Sequence, residues 1–246
     1  MSWQEVLEKL ETGELRSANL IDGKWVANTD VKSAILDAFR AGELVEENGF
    51  VDKHNIMPQK FTPERGVRLV PGGSSVRRGS YVAKGVVIMP PAYINIGAYV
   101  DEGTMVDSHA LVGSCAQIGK NVHLSAGVQI GGVLEPIGMS PVIIEDGAFV
   151  GAGCVVVEGI VVRKGAVLAP GVTLSKAVSI YDAVNEKILE RGSEVPENAV
   201  VVPGTRPMDK RFGWANEMNL QLNCPVIIKY RDAKSDASLE LEDALR

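Results

Sequence analysis

Between residues 76 and 174 the chain repeats itself every six residues. Stepping by six from Val76 meets Val82, Ile88, Ile94, Val100, Val106, Val112, Ile118, Leu124 and Ile130. After a longer segment the count resumes at Ile144, Val150, Val156, Val162, Leu168 and Leu174. Every one of these positions is aliphatic. A period of six matches neither the 3.6-residue turn of an α-helix nor the two-residue alternation of a strand. It marks a solenoid in which each hexad supplies one short strand and one turn, and repeats this short build a parallel β-helix. The turn is visible in the same register. Three residues after the aliphatic stand Gly79, Gly85, Gly97, Gly103, Gly127, Gly147, Gly153, Gly159, Gly165 and Gly171, the residue that enters positive φ without steric cost. The next column holds small or branched residues such as Ala98, Thr104, Ala110 and Ala148. An ordinary antiparallel β protein has no reason to hold so strict a register.

The composition suits a narrow solenoid. Aromatics are 5% of the 246 residues, against 26 glycines, and the length is enough for a full core. A formal charge of −6 argues against nucleic acid as a partner. There is no apolar run long enough to cross a bilayer, and the opening Met1-Ser2-Trp3-Gln4-Glu5 lacks the basic start of a signal peptide. Three widely spaced cysteines, Cys115, Cys154 and Cys224, form no CxxC pair. The first two fall in repeat columns, as small buried or turn residues do. A reduced, cytoplasmic protein is the expectation, with neither membrane nor nucleic-acid partner.

Residues 1–75 carry no hexads and are expected to form a small helical or mixed cap with a connector. Val6, Leu7, Leu10 and Leu15 suggest one short amphipathic helix. Asp30 is placed as the cap of a second, with Val31, Ala34, Ile35, Ala38 and Phe39 on one face and Gly42 as terminator. Between them, Ile21-Asp22-Gly23-Lys24-Trp25-Val26 reads as a tight turn between extended pieces, and residues 50–71 as a connector. Residues 76–207 form the solenoid, interrupted between Ile130 and Ile144 by an insertion at residues 135–141. Insertions in a repeat map to loops on one face, often the binding face. Residues 195–200 and 201–206 read as two closing hexads. Residues 208–246 are a C-terminal extension: a polar bridge, a strand at Pro225-Val226-Ile227-Ile228-Lys229-Tyr230 and a helix over 238–245. Such terminal structure covers the unpaired backbone at the solenoid's end.

Two runs are more polar than the ladder requires. These are GAYVDEGTMVD at residues 97–107 and VGSCAQIGKNVHLS at residues 112–125, the latter leading to Gly131-Gly132-Val133-Leu134-Glu135-Pro136. With the hexads, they resemble the tetrahydrodipicolinate N-succinyltransferases of the hexapeptide-repeat acyltransferases, and the resemblance extends from Ile21 to the C-terminus. It implies a mainly β protein: a left-handed parallel β-helix behind a small N-terminal unit, assembled as a homotrimer with active sites between subunits. It implies transfer of succinyl from succinyl-CoA, the acyl-donor cosubstrate, to the amine of ring-opened tetrahydrodipicolinate in lysine and diaminopimelate synthesis. Two departures stand out. The N-terminal region is shorter than in well-known members, and Val155 occupies the position of a glutamate found near the reacting amine in some of them; Glu158 is a candidate substitute.

In the family three hexads make one coil, so residues eighteen apart stack. Asp107 and Ser125 then share a column just after the inward aliphatic, with His109 two residues beyond Asp107, where the repeat prefers Gly. The resemblance implies Asp107 as the carboxylate that orients the amine and takes its proton, and Arg68 as a substrate-binding cation suited to carboxylates. It places CoA near Ser125, Gly131, Gly132 and Arg206. For the glycines, plain turn geometry stands as the other reading. His109 is either a proton-transfer assistant or a local hydrogen-bonding group, and His123 is structural. A zinc hydratase of the same fold would need three histidines, but His109 and His123 are fourteen apart and His54 precedes the solenoid, so no metal is expected. Two alternatives remain: an N-acetyltransferase for the same substrate, which the long polar run and the C-terminal tail disfavour, and a non-catalytic scaffold.

Overall fold

The aliphatic ladder is the inner wall of a three-sided coil. In the computed structural model, which describes residues 1–47 and 49–232, each hexad is a two-residue strand with its first side chain outward and its second inward. Tyr99–Val100, Met105–Val106 and Leu111–Val112 are three consecutive rungs, with Val100, Val106 and Val112 fully buried. Each strand pairs in parallel with the third one along: Tyr99 with Gln117, Met105 with His123, Leu111 with Gln129. Three hexads therefore close one coil. Burying one inward Val, Ile or Leu contributes about 1.5–3 kcal/mol, and the ladder does this at every rung.

The coils build three parallel sheets. Face A runs from Tyr81–Val82 to Val161–Val162, face B from Arg68–Leu69 through Val167–Leu168, and face C from Ser75–Val76 to Thr173–Leu174. The stack thus begins one rung before Val76. All ten ladder glycines have positive φ, and so do three non-glycines in the same column, His109 (61°), Cys115 (66°) and Asn121 (52°). That conformation costs an L-residue about 1–2 kcal/mol. Bonds between coils hold it, among them His109 N–H to Pro91 O at 2.6 Å and Cys115 N–H to Ile96 O at 3.0 Å.

The N-terminal unit covers face A and the corner between faces C and A. Helix α1 (Trp3–Thr12) starts at a Ser2 capping box and stops at Gly13, φ 79°. Leu15 lies beyond its end but joins the same apolar cluster. Strands β1 (Ala18–Ile21) and β2 (Lys24–Ala27) form a hairpin whose two turn residues, Asp22 and Gly23, both have positive φ, as a two-residue turn between twisted strands requires. Helix α2 (Thr29–Ala41) is capped by Asn28, whose side chain accepts from Val31 N–H at 3.3 Å. The expected cap, Asp30, instead sits in the first turn, where its charge still suits the helix dipole. Gly42 ends α2, though with φ −76° rather than a left-handed turn. Leu7 and Ile35 pack with Ile96 and Cys115 of the solenoid. Strands β3 (Leu44–Glu47) and β4 (Phe50–Lys53) form a second hairpin, part of it within the stretch read as connector.

The insertion leaves face C after Ile130 and is fastened to this unit. Buried Lys32 donates to Met139 O at 2.6 Å, and Ser140 Oγ donates to Trp25 O at 3.1 Å. At the far end the expected pair of closing hexads is only partly formed. Val195 bridges Val162 and Val201 stands over Leu168, but the chain then runs straight as Ala199–Pro207. The reason is its partner: Gln221–Tyr230 pairs antiparallel along its whole length, so the strand has no cause to turn. Between these two strands lies a short helix, Gly213–Glu217. The helix expected over 238–245 lies outside the described residues. The observed fold is the parallel β-helix that the hexads predict, joined to a small N-terminal unit of two helices and two hairpins.

Candidate active site

Asp107 and Ser125 occupy successive coils at the corner between faces B and C. The register aligns Val106 with Leu124, and Asp107 N–H donates to Leu124 O at 2.9 Å, placing Ser125 one strand spacing above Asp107, or about 4.8 Å. Asp107 is half-buried. Its Oδ1 accepts Ser108 N–H at 2.7 Å, and its other oxygen makes no hydrogen bond among the described residues. Ser125 is 9% exposed, with a hydroxyl likewise unengaged among the described residues. His109 sits exposed on the same corner, its carbonyl accepting from Gln129 Nε2 at 3.3 Å. This is an open edge carrying a free carboxylate oxygen beneath a free hydroxyl.

The other predicted residues lie elsewhere on the chain. Arg68 opens face B two strands below Met105, exposed and without a side-chain partner among the described residues. Gly131 and Gly132 stand at the opposite edge of face C, where the insertion departs. A Cβ at Gly132 would fall 2.7 Å from Ser114 N, and one at Gly131 2.8 Å from Val157 Cγ1. Close packing alone therefore calls for both glycines. Arg206, on Ala199–Pro207, lines a cavity of about 240 Å³ together with Arg191, Ser179 and Asn223. Neither arginine has a carboxylate partner among the described residues. Arg191 lies where the hexads fade, so no repeat column marks it. His123 stacks on Phe149 at 5.0 Å on face B. Val155 points outward from face C beside Gln129. Glu158 turns at the C-to-A corner, its carboxylate accepting Lys176 N–H at 2.9 Å, and so lies across face C from Asp107 in the same chain.

Thiol chemistry is disfavoured at every described cysteine position in the coils. Burial pushes Cys115 and Cys154 up to about 11, keeping both protonated. Among the described residues no three His, Cys, Asp or Glu side chains are grouped to hold a metal ion. A larger cavity, about 460 Å³, opens between the β1–β2 hairpin and the A-to-B corner around Arg16, Trp25, Asp101 and Asp146. Its one sequence signal was the outward column of face A, where Tyr81, Tyr99 and Gln117 stand in place of solvated residues.

Comparison with known proteins bears on what such a corner does. Residues 3–41 match the family model for the N-terminal part of tetrahydrodipicolinate N-succinyltransferase, and residues 141–176 the model for the hexapeptide repeat of succinyl-transferase. The 2,3,4,5-tetrahydropyridine-2,6-dicarboxylate N-succinyltransferase of Actinobacillus pleuropneumoniae is 44% identical over 84 residues, covering 31% of this chain and 30% of that protein. That of Psychrobacter cryohalolentis is 46% identical over 82 residues, covering 27% and 28%. The matched stretch thus spans about 30% of the length of these relatives. A solved Campylobacter jejuni structure described as a 2,3,4,5-tetrahydropyridine-2-carboxylate N-succinyltransferase overlays 92% of this chain on 63% of its own, with TM-score 0.56 and 16% identity, a likeness of fold. The chain is a hexapeptide-repeat β-helix protein whose N-terminal helices and central coils resemble those of the tetrahydrodipicolinate N-succinyltransferases.

Proposed function

We propose that the protein transfers the succinyl group of succinyl-CoA to the amine of ring-opened tetrahydrodipicolinate, giving N-succinyl-2-amino-6-oxopimelate and CoA. The observation that carries the reading is the B-to-C corner, where, among the described residues, Asp107 keeps one carboxylate oxygen unengaged one strand spacing below the free Ser125 hydroxyl. The neutral amine attacks the thioester carbonyl, the C–N bond forms, and the C–S bond breaks as CoA leaves. Asp107 holds the amine and takes the proton it sheds, a role worth roughly 10²–10⁴ in rate. Arg68 supplies a guanidinium fork for a substrate carboxylate. No covalent intermediate is needed, in keeping with the high thiol values of Cys115 and Cys154.

Within one chain the insertion with Gly131 and Gly132 and the Asp107 corner are separated by the width of face C. The reading therefore requires a second copy, whose C-to-A corner brings the donor to this chain's Asp107, in a homotrimer. Arg206, with Arg191 and Ser179 around the smaller cavity, would meet a phosphate of the donor. The metabolic setting and three free, buried cysteines suit the cytoplasm. The test is turnover with tetrahydrodipicolinate and either succinyl-CoA or acetyl-CoA, following CoA release with a thiol reagent. Succinyl-CoA should be the faster donor, and Asp107→Asn should fold, keep its assembly and lose at least about a hundredfold in kcat. Faster acetyl transfer, or near-normal kcat in the variant, refutes the assignment.

A further inference from the structure

The larger cavity is built around an arginine that has been fixed in place and then left without a counter-ion. The Arg16 guanidinium lies 3.8 Å from the Tyr99 ring centroid and 5.4 Å from that of Trp25, a stacked arrangement that orients its plane. Its Nε donates to Gln117 Oε1 at 2.9 Å, and Gln117, 1% exposed, is itself fixed by its Nε2 on the carbonyl of Cys115 at 2.8 Å. The two terminal nitrogens, the fork that grips a carboxylate, make no hydrogen bond or ion pair among the described residues. Burial lowers the pKa of Arg16 and the fields of Tyr99, Asp101 and Asp146 act against that, so an uncompensated cation sits in a partly desolvated place.

Asp101 and Asp146 line the same cavity but are held back from the guanidinium. Each spends one oxygen on a backbone N–H, Asp101 on Glu102 at 2.8 Å and Asp146 on Lys120 at 2.7 Å, and leaves the other free among the described residues. A neighbouring arginine provides the contrast. Arg163 is consumed by Glu145, Glu194 and the Gly23 carbonyl, as a structural ion-pair network should be. Two cations, Arg16 and Lys164, and three carboxylates, Asp101, Glu145 and Asp146, line this cavity of about 460 Å³, which makes it complementary to a molecule carrying both signs. The Trp25 ring lines the same cavity as an apolar surface and is pinned by its Nε1, which donates to Glu145 at 2.8 Å.

We propose that this cavity binds a small zwitterion of the α-amino-acid class, its carboxylate on the Arg16 fork, its ammonium between Asp101 and Asp146, and its apolar body on Trp25. The site is separate from the Asp107 corner and does not rest on the proposed transfer reaction, although that reaction's amino-dicarboxylate substrate belongs to the same chemical class. Calorimetric titration of the full chain with L-norleucine, hexanoate and pentylamine compares the zwitterion with each of its halves. Norleucine should bind at least about tenfold more tightly than either, because only it satisfies both ends. Arg16→Gln should abolish norleucine binding, and Asp146→Asn, at an exposed position where the fold is not at stake, should weaken norleucine but not hexanoate. Asp107→Asn should leave norleucine binding unchanged. The proposal is overturned if norleucine does not bind, if hexanoate binds as tightly, if folded Arg16→Gln or Asp146→Asn binds norleucine like the wild type, or if Asp107→Asn weakens it.

Discussion

Replacing Gly159 by alanine tests how the insertion is held. Gly159 turns at the C-to-A corner with φ 73°, and an added methyl would overlap the Ser140 carbonyl oxygen and lie 3.3 Å from its carbonyl carbon. Gly147 has nearly the same φ, 66°, with nothing within 4 Å of an added Cβ. The backbone strain is therefore common to both substitutions, about 1–2 kcal/mol. The difference lies in the loop. Backbone at Ser140 cannot rotate aside as a side chain would, so the loop must shift. That shift breaks the Ser140–Trp25 bond and the Lys32–Met139 bond. A neutral hydrogen bond is worth about 0.5–1.5 kcal/mol and one to a charged group about 1.5–3 kcal/mol. Gly159→Ala should thus cost about 2–4.5 kcal/mol more than Gly147→Ala. Denaturant unfolding followed by circular dichroism, at matched protein concentration and with m-values compared, reads this directly. If the insertion positions the acyl donor, the KM for succinyl-CoA should rise in Gly159→Ala alone. Equal stability of the two variants, within about 0.5 kcal/mol, refutes the idea that the loop is fastened through Ser140 and Met139.

Two further perturbations follow from the same geometry. His109→Gly removes a side chain from a left-handed position, φ 61°, and should stabilise the fold by about 1 kcal/mol; a large loss of turnover in this more stable variant would give the imidazole a chemical role, and a lower melting temperature would refute the strain argument. The pair Tyr230–Asp182, joined at 2.8 Å, should shape stability at both pH extremes. Burial, aided by Asp182, pushes the Tyr230 phenol up to about 12. This stability is complete below the unfolded value near pH 10 and declines as pH rises toward 12, by about 1.4 kcal/mol per unit at most. Burial alone would raise Asp182, but hydrogen bonds from Asn185 and Tyr230 outweigh it and hold the carboxyl low; its contribution is present above about pH 4 and is lost as pH falls through the folded value. The melting temperature of the wild type should fall relative to that of Tyr230→Phe between about pH 10 and 12, and parallel curves there would sink the account.

What the chain revealed in advance depended on whether the information was periodic. The ladder was legible because one residue type recurs at a fixed interval; the column itself did not single out Asp107, since Asp101 holds the same place one hexad earlier, and only the family resemblance picks it out. Single choices between similar residues were not legible. Asn28 and Asp30 both suit a helix cap, and only the backbone decides that Asn28 reaches Val31 N–H. No alternation marks the β3–β4 hairpin, because Phe50 and Val51 are both exposed, 72% and 67%. The Arg16 cavity joins residues near positions 16, 25, 101, 117 and 146, and no local pattern connects them.

The outward columns of the coils carry a signal of their own. On face A, Tyr81, Tyr99 and Gln117 face outward, and the N-terminal unit with Arg16 packs over them. A solvated β-helix face would place charged or small polar residues there, because sheet faces turned to water alternate polar-out. By the same reasoning faces B and C call for a cover. Val87, Met105 and Phe149 face outward on B, and Tyr93, Leu111 and Val155 on C, all of them half-buried. Both columns flank the Asp107 corner. A second copy packed against these two faces, as in the proposed trimer, would bury the apolar columns and enclose the corner at once. The contacts that assemble the protein would then be the ones that exclude water from Asp107, and a variant carrying Met105→Glu should lose assembly and turnover together, whereas an active dissociated chain would separate the two.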